Sequence, residues 1–411
     1  METVELELPF GRDGVLATRV PRSLLAAYYR GPAALGDLSS SLARALSAPL
    51  EFPALRQAVL ADDHVVLALD RDTPQAAELI CGVWDVLGAQ GLQPDRILIL
   101  QPAALTRHPQ PDPRRLLPEA VRDRIGWIRH DATGDDRHFA YLAATTSGER
   151  VYLAREAVDA DLLLTIGPIC FDSVLGHRGT SSVLYPGLSK SEAISRAHGQ
   201  GHDELGPADQ RGIRQTIDEV GWLLGVQFAL QVIPGVAGEV ADVLAGAQDA
   251  VLERGKTRLD ELWRVTLDER VDFVVVAVEA DEAGHSWAQL GAALDTARRL
   301  VERDGRILVL SQLREELTPG LELLQNSRTP RDALLPLRTS APEDLVTATQ
   351  FARAADWAKL YLLSNLDDAV VEDLFAFPLN SVEEARRLIE SADRMAVIAS
   401  AQHVYADVRT P

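Results

Sequence analysis

Eight short apolar runs recur along the chain: HVVLAL at 64–69, RILILQ at 96–101, DLLLTIG at 161–167, QFALQVI at 227–233, DFVVVAV at 272–278, RILVLS at 306–311, KLYLLS at 359–364 and MAVIAS at 395–400. Each is apolar at nearly every position rather than at alternate ones. That pattern suits strands covered on both faces, as in parallel sheets, and not strands with one face in water. Between the runs lie longer segments such as AAELICGVWDVLGAQG and AQLGAALDTARRLVER, whose apolar residues recur at helical spacing. Strands alternating with helices predict an α/β chain, with mostly parallel sheets flanked by helices. Eight strands in 411 residues fit two sheets better than one. The charged helical stretch ERGKTRLDELWRV at 253–265 marks the expected boundary, with a larger amino-terminal domain over 1–260 and a smaller α/β domain over 261–411. In chains of this kind the cleft between domains is the expected ligand site.

Composition removes several function classes. The chain is 46% hydrophobic and 25% charged, the mixture of a globular protein with sizeable cores. No run approaches the roughly 18 to 20 apolar residues of a membrane-spanning helix, and METVELELPFG carries acids where a signal peptide carries bases. The expectation is a cytoplasmic protein with no membrane partner. With 61 acids against 41 bases the net charge is −20, which repels a phosphate backbone and argues against nucleic acid. A small cofactor's phosphate can still be held locally, by helix amino ends and an arginine or two. Cys81 and Cys170 are the only cysteines, without a CxxC pairing, so neither a disulfide framework nor a zinc or redox motif is present.

The densest group of reactive side chains is PICFDSVLGHRGTSSVLYPGLSKSEAISRAHG at 168–199, which gathers hydroxyls, two histidines and a thiol around a Pro–Gly turn. Cys170, His177 and His198, with His202 beyond, offer imidazole and thiolate for nickel, zinc or copper. The plainer readings stand beside this one. Cys170 packs as a small hydrophobe, and His198 ends a helix opened by a Ser189–Glu192 capping box and closed by Gly199. His130 and Asp131 close a turn, while His64, His138 and His403 read as surface or edge residues without partners. His285 stands at a helix start, where capping and substrate contact are equally open. Gly235 and Gly238 form too sparse a pattern for a dinucleotide fingerprint.

LPFGRDGV at 8–15, VVLALDRDTP at 65–74, ILILQPAALTR at 97–107, IRHD at 128–131, LAREAVDADLLLTIGPI at 153–169, YPGLS at 185–189, AHG at 197–199 and WAQLGAALDTA at 287–297 resemble, in order and spacing, the nickel-dependent lactate racemases and related 2-hydroxy acid racemases and epimerases. The resemblance implies a two-domain α/β fold and a nickel-pincer nucleotide tethered to lysine, with histidine completing the metal site. It implies a reaction in which the Cα hydride of a 2-hydroxy acid passes to the cofactor and back while histidines move the hydroxyl proton. Carried over position by position, it assigns Asp70, Asp72, Thr73, Arg178 and Ser182 to the cofactor and His198 to the metal. Thr106, Arg107 and His108 fall to catalysis, and Gln289 and Trp287 to the substrate.

The chain also departs from the pattern. Ile169 follows Pro168 where the family has histidine, and the tethering lysine's position falls among Thr180, Ser181 and Ser182, with Lys190 beyond the turn. Thr106 replaces a histidine, with His108 displaced by two positions, and threonine takes up no proton near neutral pH. Asp70-Arg71-Asp72-Thr73-Pro74 replaces Asp-His-Thr-Arg-Pro, and Ala292 stands at a lysine position. The expectation is a divergent, lactate racemase-like protein, non-catalytic or altered, that binds a small anion in the interdomain cleft. Two alternatives stay open: a 2-hydroxy acid racemase or epimerase with a non-covalently held nickel-pincer nucleotide, and a different metal enzyme built on Cys170, His177 and His198.

Overall fold

The computed structural model describes residues 2–103, 110–172, 176–198, 212–280 and 285–409. The catalytic candidates Thr106, Arg107 and His108 lie outside the described residues, as do His202 and Gly199. Two compact units emerge, and they are not the two consecutive stretches expected. The first unit takes residues 33–197 and 212–261, whereas residues 2–32 join 262–409 in the second.

The first unit is built on a six-stranded sheet in the order Val240–Gly246, Phe228–Pro234, Leu162–Pro168, Val65–Leu69, Ile97–Gln101, Gly126–Arg129. All neighbours are parallel except the Val240–Gly246 edge, which runs antiparallel to Phe228–Pro234. The reason for uniformly apolar strands is visible at Val65–Leu69. Val65, Leu67 and Leu69 face one core with Leu79, Ile80 and Val83 of the Ala76–Ala89 helix, while Val66 and Ala68 face another with Leu184 and Leu188. The chain starts this sheet in the middle, winds outward through Ile97–Gln101, then returns to the other side at Leu162–Pro168. The reversal opens a crevice at the carboxyl ends of Val65–Leu69 and Leu162–Pro168, the usual ligand position in open α/β sheets.

The second unit repeats the arrangement with six parallel strands in the order Ala376–Leu379, Lys359–Leu363, Val301–Leu310, Val271–Ala277, Met395–Ile398, Leu25–Tyr29. The Leu25–Tyr29 edge strand comes from the amino end, and it explains why residues 2–32 belong here. Ahead of it, Thr3–Phe10 and Gly14–Pro21 form an antiparallel hairpin. Leu6, Leu8 and Phe10 alternate with exposed residues, and they pack with Phe273, Val275 and Val397. Among the described residues no helix is long and apolar enough to cross a membrane.

Candidate functional site

Asp70 follows directly on the Val65–Leu69 strand, with its amide donating to the Ile166 carbonyl at 2.7 Å, so it stands on the crevice of the first unit. Its side chain is only 6% exposed and meets Arg178 as a fork: Nε donates to Oδ2 at 3.0 Å and Nη2 to Oδ1 at 2.6 Å. The Arg71 amide donates to Oδ1 as well, at 2.8 Å. A two-pronged guanidinium–carboxylate pair of this geometry is among the stronger polar contacts a protein makes. Gly167 makes room for it, since a Cβ there would lie 2.7 Å from the Asp70 Cβ. Thr73 Oγ1 donates to the Asp70 carbonyl at 2.7 Å, Asp72 turns the loop with φ 54°, and the Ala76–Ala89 helix begins just beyond. The Arg71 side chain turns to the Ala103 carbonyl, at 3.3 Å.

Arg178 ends the strand Gly176–Arg178, paired antiparallel with Cys170–Asp172. In that ladder Cys170 lies opposite Arg178 and Phe171 opposite His177. Cross-strand partners share a face and successive residues alternate, so the Cys170 and His177 side chains point to opposite faces. This corrects the metal site expected from Cys170 and His177. Among the described residues no three His, Cys, Asp or Glu side chains are grouped to hold a metal ion. His198 ends the Ser191–His198 helix, and its side chain lies outside the described residues. The His177 ring packs edge-on against Phe171, and burial, then Lys256 and Arg214, lower its pKa to about 4.

The next residues fold into a sealed turn. Gly179, with φ 141°, sits where a Cβ would come 2.9 Å from Ile169 Cγ1. Thr180, Ser181 and Ser182 are 3%, 2% and 6% exposed. The Thr180 amide donates to Gln231 Oε1 at 2.9 Å, the Gly179 amide to Ser182 Oγ at 3.0 Å, and the Ser181 hydroxyl to Gln248. Arg214, on the Gly212–Leu224 helix, donates to the Gly179 carbonyl at 3.2 Å and to Thr180 Oγ1 at 3.3 Å, and pairs with Asp218. Gln231, Gln248 and Arg214 were not singled out from the sequence. The one available signal was Gln231, a lone amide in the otherwise apolar Phe228–Pro234 strand, which needs partners when buried.

Beyond the turn the expected capping box does not form. Ser189 donates to the Pro186 carbonyl at 2.6 Å, and the helix opens at Ser191 with the Lys190 carbonyl accepting from Ala193 and Ile194. Lys190 pairs with Asp136 and lies over the Phe139 and Tyr152 rings at 5.2 and 4.9 Å. His130 is buried, with Nε2 2.9 Å from the Ser189 carbonyl, and burial lowers its pKa. Asp131 closes a turn through the Thr133 amide and hydroxyl.

In the second unit, Trp287 is 2% exposed, donates from Nε1 to the Glu316 carbonyl at 2.9 Å, and meets Phe351 edge-on. It is a core residue of its unit. Gln289 forms a capping box with Ser286, its Oε1 accepting from the Ser286 amide at 3.1 Å. The expectation for two other histidines is corrected. His64 is exposed but carries Asp161 and Arg96 as partners, and His403 packs on Trp263 at 5.2 Å, where burial lowers its pKa to about 4. His138 is exposed. The structure thus brings Asp70, Thr73 and Arg178 together in the first unit, with Ser182 in the adjoining turn and Asp72 in the loop, while Gln289 and Trp287 belong to the second.

Residues 13–205 match the family model of the lactate racemase N-terminal domain. The whole fold is similar to the lactate racemase apoprotein from Thermoanaerobacterium thermosaccharolyticum, with a TM-score of 0.79 and 18% identity over 99% of this chain and 100% of that one. A structural-genomics protein from Thermotoga maritima is similar as well, with a TM-score of 0.67 and 12% identity over 90% of this chain and 98% of that one. No curated protein matches in sequence. Residues 13–205 thus carry the match to the lactate racemase N-terminal domain, and the fold of the whole chain is that of the lactate racemase apoprotein.

Proposed function

We propose that this chain is a member of the lactate racemase family that does not racemise on a lysine-tethered nickel-pincer nucleotide and instead binds a small anion. The observation that carries the reading is the turn at Thr180, Ser181 and Ser182. A covalent amide-type tether needs an amine, these three residues carry hydroxyls, and all three are buried within a hydrogen-bond network closed by Gln231, Gln248 and Arg214. Lys190, the next lysine along the chain, is engaged with Asp136. Arg178 offers its fork to Asp70 and is not arranged for a phosphate. The residues present therefore do not fit the tethered group. Support for an anionic ligand comes from the amino end of the Ala76–Ala89 helix, which opens just beyond the carboxyl end of the Val65–Leu69 strand.

The test is metal analysis with intact mass spectrometry on protein produced alongside the family's cofactor-synthesis enzymes. The expected result is substoichiometric nickel and an unmodified chain mass. Stoichiometric nickel with an added nucleotide mass overturns the reading. A second reading, a 2-hydroxy acid racemase or epimerase with a non-covalently held nucleotide, is favoured by Asp70 and Pro74, which match the family's loop at the switch point. Stoichiometric nickel with an unmodified mass selects it.

A further inference from the structure

The first unit's sheet ends on Gly126–Arg129, and among the described residues nothing pairs with the outer edge of that strand. Two other sheet edges are guarded. Leu35 and Leu50 donate from their amides to the Val240 and Ala245 carbonyls on the opposite edge of the same sheet, at 2.8 Å each, and Pro378 stands in the Ala376–Leu379 edge strand of the second unit. In Gly126–Arg129 the backbone groups alternate in direction. The His130 amide donates to the Gln101 carbonyl at 2.8 Å, and in a parallel ladder every second residue bonds to the same side. Gly126 and Ile128 therefore bond inward to Ile97–Gln101, while Ile125, Trp127 and Arg129 face outward. The Ile125 carbonyl is taken by Arg114 Nη1 at 2.8 Å. Trp127 and Arg129 each keep a main-chain amide and carbonyl with no hydrogen-bond partner among the described residues, a template for another strand.

The side chains along this edge are basic. Trp127, whose Nε1 donates to Gln101 Oε1 at 3.2 Å, carries the Arg114 and Arg129 guanidiniums over its ring at 5.4 and 5.0 Å. Asp112 neutralises Arg114 at 2.9 Å. Arg129 is exposed, donates to the Gln110 carbonyl at 3.2 Å and, among the described residues, has no carboxylate beside it. Residues 112–129 hold five arginines against three acids, in a chain whose acids outnumber its bases by 61 to 41. Two copies joined edge to edge would set these arginines against each other, so the charge selects an acidic partner over a second copy. On the opposite face of the strand Ile128 is 41% exposed.

We infer that an extended acidic segment of a partner protein adds to the first unit's sheet along Gly126–Arg129 as a further strand. Its backbone pairs with the outward groups of Trp127 and Arg129. Its acids lie on the Trp127 face, against Arg129 and Arg114, and its apolar residues lie on the Ile128 face. The surface uses no residue of the Asp70–Arg178 crevice and goes beyond the reading given above.

The test is fluorescence anisotropy of a labelled short peptide in which glutamate alternates with valine, titrated with the full chain, beside the same peptide with lysine for glutamate. The expected result is saturable binding of the glutamate peptide alone. Arg129→Gln weakens it about tenfold or more, and Arg150→Gln, which removes an exposed charge elsewhere on the first unit, leaves it unchanged. Methylating every second peptide nitrogen abolishes binding for one of the two possible sets and spares it for the other, a readout that leaves the protein untouched. In NMR hydrogen exchange the Trp127 and Arg129 amides gain protection with the peptide, while the Ile128 amide, already within the ladder, does not change. No saturable binding, equal binding of the lysine peptide, equal loss in Arg129→Gln and Arg150→Gln, or indifference to both methylated sets overturns the inference. A dimer in sedimentation that Arg129→Glu abolishes assigns the edge to a second copy and overturns it as well. None of these outcomes bears on nickel content or chain mass.

Discussion

Asp70→Asn keeps the shape of the side chain at the first unit's crevice and removes its charge. In the wild type that carboxylate accepts two bonds from Arg178 and one from the Arg71 amide. Removing one partner of a fully buried pair costs about 3 to 5 kcal/mol, because the other charge is left uncompensated. Arg178 is 18% exposed, so water recovers part of that cost, and the asparagine oxygen still accepts one or two bonds. The expected loss is about 2 to 3 kcal/mol, a fall of roughly 4 to 12 °C in the melting of the unit that carries it. Pairing the change with Arg178→Gln closes a double-mutant cycle, and the coupling energy should be about 1.5 to 3 kcal/mol. The assay is urea unfolding followed by tryptophan fluorescence and circular dichroism. Single losses under about 0.5 kcal/mol, or single losses that simply add in the double variant, would refute the claim that the two residues act as a pair.

Three further outcomes follow from the same geometry. Ser181→Lys, which places an amine at the tether position, should destabilise the first unit by about 3 kcal/mol and still bring in no nickel, as read by metal analysis, because the side chain is sealed against Gln248. His403 and His177 are held near 4 by burial, below the unfolded value of about 6.5, so the unfolded chain binds more protons in that window. Stability should therefore fall as pH drops from about 6.5 toward 4, and His403→Phe should flatten that slope in urea midpoints measured across the range. Trp287→Phe removes the Nε1 bond to Glu316 and should cost about 1 to 2 kcal/mol of the second unit's stability, with unfolding otherwise cooperative.

The eight strands were legible because each is buried on both faces, which leaves a continuous apolar run in the sequence. The division into units was not. The VELELPF alternation signals a strand with one buried face, but nothing local says that its partner sheet lies at the other end of the chain. The site shows the same limit. Asp70 and Arg178 could each be picked out, yet their joining across 108 positions is a property of the folded sheet. Cys170 and His177 looked like neighbours in sequence, and strand alternation separates them. The Gln231 network was hinted at by a single polar letter in a strand. Its partners Gln248 and Arg214 sit on helices whose sequences give no sign of what they face.

Tyr29 pairs with Ile398, which has a consequence for how the protein is made. A ribosome adding about 5 to 20 residues per second releases the amino-terminal strands roughly 20 to 70 s before their sheet exists. The first unit, contiguous but for a short piece, can close during that interval. Meanwhile Leu6, Leu8 and Phe10 have no core to enter, and the nascent chain presents an apolar row that a chaperone or an intervening copy of the chain can occupy until the last strand arrives.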